Sequence, residues 1–144
     1  MKKVLIDLNI ILDMLNKRMD HKSALAVFDF CVKKKIKGYI SSHEITTLSY
    51  FLEKQKYNLM KRNIIISNLL DHLSVLTAHE KILRKALVSE ISDYEDAVID
   101  ELAFNEEVNY IITRDLKDFK NSRNNIYNAR EALEIIEADE NLNT

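Results

Sequence analysis

The chain has 144 residues, a length typical of a single domain with its own hydrophobic core. Hydrophobic residues make up 47% and charged residues 31%, as in ordinary globular proteins, and the net charge of −2 gives no overall positive field for nucleic acid. No apolar run approaches the length needed to span a bilayer. The only glycine, Gly38, excludes the glycine-rich loops that bind phosphates or dinucleotides.

The N-terminus and the cysteine content indicate where the protein works. Two lysines precede only a short apolar run, which Asp7 interrupts, so we expect no secretory signal. The single cysteine, Cys31, cannot form an intramolecular disulfide or a cysteine-based metal site. We therefore expect a protein of the reducing cytoplasm with no membrane association.

The first strand is predicted at the apolar run Val4–Ile6, which ends abruptly at Asp7. Ile10, Ile11 and Met14 then fit one face of a helix that begins directly after the strand. In open parallel sheets, ligands bind beyond the carboxyl ends of the strands, so Asp7 occupies a position typical of functional groups. The alternative is that Asp7 only caps the following helix through its side-chain oxygen.

The next segment continues the alternation of helix and strand. Asp20 is the predicted N-cap of a helix through about Ile36, and Gly38 suits the residue just past its end. Tyr39–Ile40 is the second predicted strand, followed by a third helix and by a fourth that Asn58 caps.

The second half of the chain shows the same pattern. Further strands are predicted at Leu73–Leu76, Tyr110–Thr113 and Ile126–Tyr127. Further helices are predicted after a capping box of Thr77 and Glu80, after Ser92, and after an Asn128 cap. This alternation predicts an α/β fold, a three-layer α/β/α sandwich with a central, mainly parallel sheet of four to five strands. We expect one domain, 1–137, and a frayed polar tail at 138–144.

Carboxylates stand at four predicted junctions: Asp7, Glu44, the Asp93–Asp96 cluster, and Asp115 with Asp118. If these junctions converge, the carboxylates repel one another unless protons or a cation neutralise them. Oxygen ligands of this kind suit Mg²⁺ or Mn²⁺, which can activate water and stabilise the leaving oxygen in phosphodiester cleavage.

Each acid also has a local explanation. Glu44 follows Ser41 by three residues and Glu95 follows Ser92 by three, the spacing of a capping box. Asp93 could favour a helix N-terminus electrostatically, and Asp118 could cap a turn. Asp96 and Asp100 are one helical turn apart, which would place both on one face.

Three motifs together resemble a known family. Val4-Leu5-Ile6-Asp7-Leu8-Asn9 resembles the strand–Asp-x-Asn opening of PIN domains, residues 93–97 resemble their third acidic motif, and residues 111–119 resemble the fourth. The resemblance covers nearly the whole chain and is nearest to the bacterial toxin branch similar to VapC proteins. It implies a parallel α/β/α sandwich, metal-dependent ribonuclease activity, a homodimer, and silencing by a cognate antitoxin.

The resemblance also implies roles for individual residues. Asp7 matches the first acid with Asn9 as its support, and Asp96 matches the third, with Asp93 as a neighbour. Asp115 and Asp118 both match the fourth motif, which Thr113 supports, and the choice between them stays open. The usual second acid falls at Thr47, but Glu44 lies one turn earlier on nearly the same face. Leu8 replaces the family's common small hydroxyl residue.

Two basic clusters are candidates for contacts with the RNA backbone. One contains Lys33, Lys34 and Lys35; the other runs from Lys54 to Arg62. The alternative is that both are solvated helix ends.

The leading hypothesis is a Mg²⁺- or Mn²⁺-dependent endoribonuclease toxin, with Asp7, Asp96 and Asp115 holding metal and Asp118 and Glu44 assisting. The competing hypothesis is a non-catalytic PIN-like module that binds RNA or protein through a degenerate acidic site. An aspartyl phosphatase would need a second acid two residues after Asp7, where the chain has Asn9.

Overall fold

The computed structural model describes residues 1–143 and contains one five-stranded sheet. All neighbouring strands are parallel, in the order β3-β2-β1-β4-β5. The strands are β1 Lys3–Ile6, β2 Lys37–Ser41, β3 Ser74–Leu76, β4 Tyr110–Ile112 and β5 Ile126–Tyr127. The predicted α/β class with a parallel sheet is confirmed.

Seven helices occur within the described residues. They are α1 Leu8–Asn16, α2 His21–Val32, α3 Ser42–Lys54, α4 Leu59–His72, α5 Glu80–Leu87, α6 Tyr94–Glu106 and α7 Ala129–Leu142, with a short 3₁₀ helix at Leu116–Phe119. None of the helices within residues 1–143 is long and apolar enough to cross a membrane.

The sheet separates two hydrophobic cores, as the alternation of side chains along β1 requires. Val4 and Ile6 face the core formed with α1, α2, α3 and α7, whereas Leu5 faces the core formed with α5 and α6. The three strand residues are at most 1% exposed. Helices therefore cover both faces of the sheet, and the predicted three-layer sandwich is confirmed.

The register of the central strands sets up the functional edge. Ile6 pairs with Ile112, and the Asp7 amide donates a hydrogen bond to the Ile112 carbonyl oxygen at 2.9 Å. The residues that follow β1 and β4, beginning with Asp7 and Thr113, are therefore neighbours at the carboxyl edge of the sheet.

Two features of the segment that contains α2 and β2 differ from the prediction. Helix α2 ends at Val32 instead of continuing to Ile36. Asp20 is its N-cap residue, as predicted, but has a left-handed conformation and makes no side-chain capping hydrogen bond. Gly38 lies inside β2, not at a helix end. A Cβ atom there would lie 2.7 Å from both Cys31 Sγ and Leu73 Cδ2, so glycine is needed for close packing.

The ends of two later helices also differ. Helix α5 begins at Glu80 after His79, so the capping box of Thr77 and Glu80 was a wrong prediction. Helix α7 continues to Leu142, so residues 138–142 are helical and the predicted frayed tail is wrong for them; Thr144 lies outside the described residues. An ion pair of 3.8 Å between Glu140 and Lys35 links the end of α7 to the α2–β2 connection.

Candidate acidic active site

Asp7 is the centre of a hydrogen-bonded group at the carboxyl edge of the sheet. It is only 7% exposed, and its Oδ2 accepts hydrogen bonds from Thr113 Oγ1 at 2.7 Å and from Asn9 Nδ2 at 3.2 Å. Its side chain makes no hydrogen bond that caps α1. The explanation of Asp7 as a mere helix cap is therefore wrong.

Asn9 connects the first motif to the fourth. Its amide nitrogen also lies 3.0 Å from Asp115 Oδ2 and 3.2 Å from Thr113 Oγ1, and its Oδ1 accepts a hydrogen bond from the Arg114 amide at 3.1 Å. Asp7 and Asp115 are thus held beside the same amide group. The supporting positions predicted for Asn9 and Thr113 agree with this geometry.

Glu44 projects from the first turn of α3 into the core and is 1% exposed. Its oxygens accept hydrogen bonds from the Leu8 amide at 2.7 Å and from Ser41 Oγ at 2.9 Å, and its carboxyl group is hydrogen-bonded to that of Asp7. Burial, followed by the contact with Asp7, raises the pKa of Glu44 well above its ordinary value. A protonated Glu44 can therefore donate to Asp7.

The Glu44 carboxylate does not complete the capping box predicted with Ser41. In a capping box its carboxylate would return to the Ser41 backbone, but here it binds Leu8 and Ser41 Oγ. Thr47, at the family's usual position, donates its hydroxyl to the His43 carbonyl oxygen at 3.0 Å. Glu44 is thus the acid that reaches Asp7 from α3.

Asp96 approaches from the N-terminus of α6. Asp93 caps that helix, accepting a hydrogen bond from the Asp96 amide at 3.0 Å, so Ser92 and Glu95 do not form the capping box. Burial, followed by repulsion from Asp93, Asp7 and Asp118, raises the pKa of Asp96 to about 7. The charge on Asp7 therefore acts on Asp96 across the site.

The two acids of the fourth motif have different neighbours. Asp115 lies beside Asn9, whereas Asp118, in the 3₁₀ helix, acts electrostatically on Asp96. Both therefore lie close to the acids predicted from the other motifs. Asp100 does not: it is 3% exposed and accepts hydrogen bonds from Ser122 Oγ and Asn124 Nδ2, away from the shared face predicted with Asp96.

The chemistry of these donors fits a hard divalent cation, since every candidate ligand is a carboxylate oxygen. Among residues 1–143, no three His, Cys, Asp or Glu side chains already surround one point as metal ligands. Burial and then repulsion from neighbouring carboxylates raise the pKa of Asp96, and a bound cation would relieve the repulsion.

The predicted RNA-binding lysines lie elsewhere. Lys33, Lys34 and Lys35 connect α2 to the start of β2, at the sheet edge opposite the acids, and Lys33 pairs with Asp29 at 2.7 Å. Lys54 is ten residues beyond Glu44 along α3, about 15 Å by helical rise. Arg62 pairs with Glu53 at 3.5 Å. The topology thus separates both basic clusters from the acids.

Sequence reasoning missed three titratable residues near the site, namely Arg114, Asp13 and His43. Arg114 Nη1 lies 2.5 Å from Oδ1 of Asp13, which is 4% exposed, and Arg114 Nε lies 3.8 Å from Asp115 Oδ1. The detectable signal was the position of Asp13, three residues after Ile10 on the apolar side of α1. Burial lowers the pKa of His43, against the opposing influence of the Glu95 and Asp7 charges.

Solved structures with a similar fold include toxin–antitoxin proteins. The VapBC2 structure from Rickettsia felis, bound to a promoter DNA fragment, aligns with a TM-score of 0.67 and 21% identity over 87% of this chain and 96% of that chain. FitAB bound to a DNA fragment aligns with a TM-score of 0.70 and 14% identity over 88% of this chain and 94% of that chain. A toxin–antitoxin complex from Klebsiella pneumoniae aligns with a TM-score of 0.61 and 21% identity over 81% of this chain and 89% of that chain.

These similarities show the fold, and the sequence comparison shows the family. No curated protein sequence matches the chain. The family model of the PIN domain matches residues 3–117, which contain β1 to β4 and the acidic side chains described above except Asp118, one residue beyond the match. The resemblance seen in the sequence motifs is confirmed, and the chain belongs to the PIN domain family.

Proposed function

We propose that the protein is a metal-dependent endoribonuclease and the toxin of a toxin–antitoxin pair. The observation that carries the proposal is the convergence on Asp7 of acids from three other motifs: Glu44 is bonded to it, Asp115 shares Asn9 with it, and Asp96 responds to its charge. Carboxylates so placed are the ligands that hydrolytic metal sites use.

In this proposal, Asp7, Asp96 and Asp115 hold Mg²⁺ or Mn²⁺, and Asp118 assists. When bound, the cation supplies an activated water and stabilises the leaving oxygen of an RNA phosphodiester. Asn9 and Thr113 orient the Asp7 and Asp115 carboxylates through their hydrogen bonds.

Glu44 and Asp93 position two of these acids. Glu44 fixes the orientation of Asp7 and can hold a proton between the two carboxyl groups. Asp93 caps the first turn of α6, which fixes the direction of the Asp96 backbone.

A cognate antitoxin protein is the proposed partner, since relatives of the same fold were solved as VapBC, FitAB and other toxin–antitoxin assemblies. A homodimer in the cytoplasm is part of the same proposal. Exposed apolar side chains such as Met60 and Ile64 on α4, at 73% and 62% exposure, offer surface for such contacts.

A second candidate is a non-catalytic PIN-like module that binds RNA or protein. It is favoured by one observation: within residues 1–143 no trio of acidic or histidine side chains is already arranged around a metal position.

Cleavage of single-stranded RNA in Mg²⁺, in Mn²⁺ and in chelator separates the two candidates. We expect the parent protein to cleave only with metal, Asp7→Asn to be inactive, and Asp29→Asn, a surface control in an ion pair with Lys33, to remain active. RNA binding without cleavage in either metal would contradict the nuclease and favour the module.

A further inference from the structure

We propose that Arg114 binds the RNA phosphate at the acidic site and that the buried Asp13 is its positioning residue. This inference rests on the proposed function, because it assigns a substrate contact to the same site. It begins from an electrostatic need: a group of carboxylates repels phosphate, so a nearby fixed cation would favour binding.

Arg114 is the cation that meets this need. Within residues 1–143 it is the only lysine or arginine whose ion pairs include one of the site acids, with Nε 3.8 Å from Asp115 Oδ1. The two basic clusters predicted from the sequence lie at the opposite sheet edge and at the far end of α3. Arg114 therefore replaces them as the candidate phosphate ligand at this site.

Asp13 holds the Arg114 side chain in place. Its side chain is 5% exposed and its Oδ1 lies 2.5 Å from Arg114 Nη1, while the Arg114 amide donates to Asn9 Oδ1. The backbone and the guanidinium are thus anchored separately to α1. An anchored guanidinium loses less rotamer freedom when it binds an anion than a free surface side chain does.

The guanidinium still has donors to offer. It carries five N–H groups in a planar fork, whereas the structure directs only Nη1 at Asp13 and Nε toward Asp115. The side chain is 44% exposed, so the remaining donors are accessible from solvent. A planar fork beside a metal-binding carboxylate suits the oxygens of a phosphodiester.

The test uses a single-stranded oligoribonucleotide in Ca²⁺ across a salt series, with RNA integrity checked on gels, together with kcat and KM for cleavage in Mg²⁺. We expect Arg114→Gln to weaken binding and raise KM by about tenfold or more, because a hydrogen bond to a charged group typically contributes at least this factor to affinity. The slope of log affinity against log salt should fall by about 0.7, the effect of one lost phosphate contact.

Matched variants separate positioning from charge. Arg114→Lys should keep the salt slope but lose affinity, because an ammonium lacks the planar fork. Asp13→Asn should weaken binding less than Arg114→Gln does. Arg18→Gln is the control, since Arg18 Nη1 also lies near Asp13 Oδ1, at 3.9 Å, without an ion pair to a site acid. We expect it to match the parent protein.

Three results would overturn the inference. If the parent cleaves RNA but Arg114→Gln keeps its affinity, slope and KM, the assignment of Arg114 is wrong while the nuclease proposal stands. If Arg18→Gln weakens binding as much as Arg114→Gln, a general charge effect replaces the positioned contact. If the parent neither binds nor cleaves RNA, the proposed function fails and this inference fails with it. Should Asp13→Asn not fold, the two Arg114 variants still decide.

Discussion

The acidic site has a buried half and an exposed half, and the two are held differently. Asp7 and Glu44 in the buried half are 7% and 1% exposed and are fixed by hydrogen bonds from Thr113, Ser41 and the Leu8 amide. The exposed half contains the exposed Asp93 and Asp118 and the half-buried Asp96. Burial, followed by repulsion from the neighbouring carboxylates, raises the pKa of Asp96. Hydrogen-bond donors therefore fix the carboxyl groups of the buried half, whereas the carboxylates of the exposed half repel one another.

This difference suggests a division of labour. Hydrogen bonds and a shared proton can keep the buried carboxyl groups in place whether or not a cation is bound. The exposed carboxylates gain most when a cation replaces their repulsion with attraction. We therefore expect metal to bind where the halves meet, at Asp7 and Asp96.

Loss of the residue that joins the halves should have the largest effect. We expect Asp7→Asn to lower kcat/KM for RNA cleavage by at least about hundredfold, the upper end of the loss seen when partners of metal ligands are removed. The fold should persist, since an amide oxygen can still accept from Thr113. If Asp7→Asn kept more than a tenth of the parent activity, the proposed role of Asp7 in the reaction would be wrong.

The buried half should dominate stability. Glu44→Ala leaves the Leu8 amide without its acceptor and opens a cavity, so we expect a loss of about 2–4 kcal/mol in the free energy of unfolding. Glu44→Gln keeps an acceptor for Leu8 and a donor for Asp7, and should lose less. Urea unfolding measures both, and equal losses would show that the hydrogen bonds of Glu44 are unimportant.

The pH dependence of stability tests the raised pKa values in the two halves of the site. The pKa values of Glu44 and Asp96 are raised in the folded protein, for Asp96 to about 7, whereas unfolded carboxyl groups titrate near pH 4. The folded protein therefore keeps protons that the unfolded chain releases. The contribution of both groups to stability is present below about pH 4; it is lost for Asp96 as pH rises through about 7, and for Glu44 as pH rises through its own raised pKa.

Without metal, the free energy of unfolding should fall between pH 5 and pH 8, and Asp96→Asn should make that fall shallower. Urea titrations at several pH values measure it. A free energy that rises over this range, in parent and variant alike, would contradict the account of Asp96.

The smallest effect is expected at the far edge of the sheet. Replacing Lys33, Lys34 and Lys35 by Gln removes charges that lie opposite the acids, so RNA affinity and its salt slope should change little. A fall in slope of about 0.7 or more for the triple variant, measured against the parent, would show that RNA follows a path around this edge.

The sequence predicted the layout of the sheet because hydrophobic period and strand length are local signals. Val4–Ile6 and Tyr110–Ile112 are short apolar runs. Asp7 follows the first directly and Asp115 comes three residues after the second, and parallel pairing brings these acids to one edge. The predicted end of α2 was wrong because residues 33–36 have helical composition but form the turn that leads to β2.

The site was harder to derive because its details depend on contacts across the chain. Glu44 has the same spacing in a capping box as in a buried acid pair, and only its contacts with the Leu8 amide, Ser41 Oγ and Asp7 distinguish the two. The pairing of Asp13 with Arg114 joins residues 101 positions apart, which no local pattern indicates.

The central claim is that acids from both halves form one divalent-metal site. Thermal unfolding of the parent and of Asp7→Asn across increasing Mn²⁺ or Mg²⁺ at pH 8 tests it most directly. Since the unfolded chain lacks the assembled site, the parent should be stabilised by RT ln(1 + [metal]/Kd), and Asp7→Asn should show little or no shift. No shift in the parent, or the same shift in both proteins, would contradict the claim.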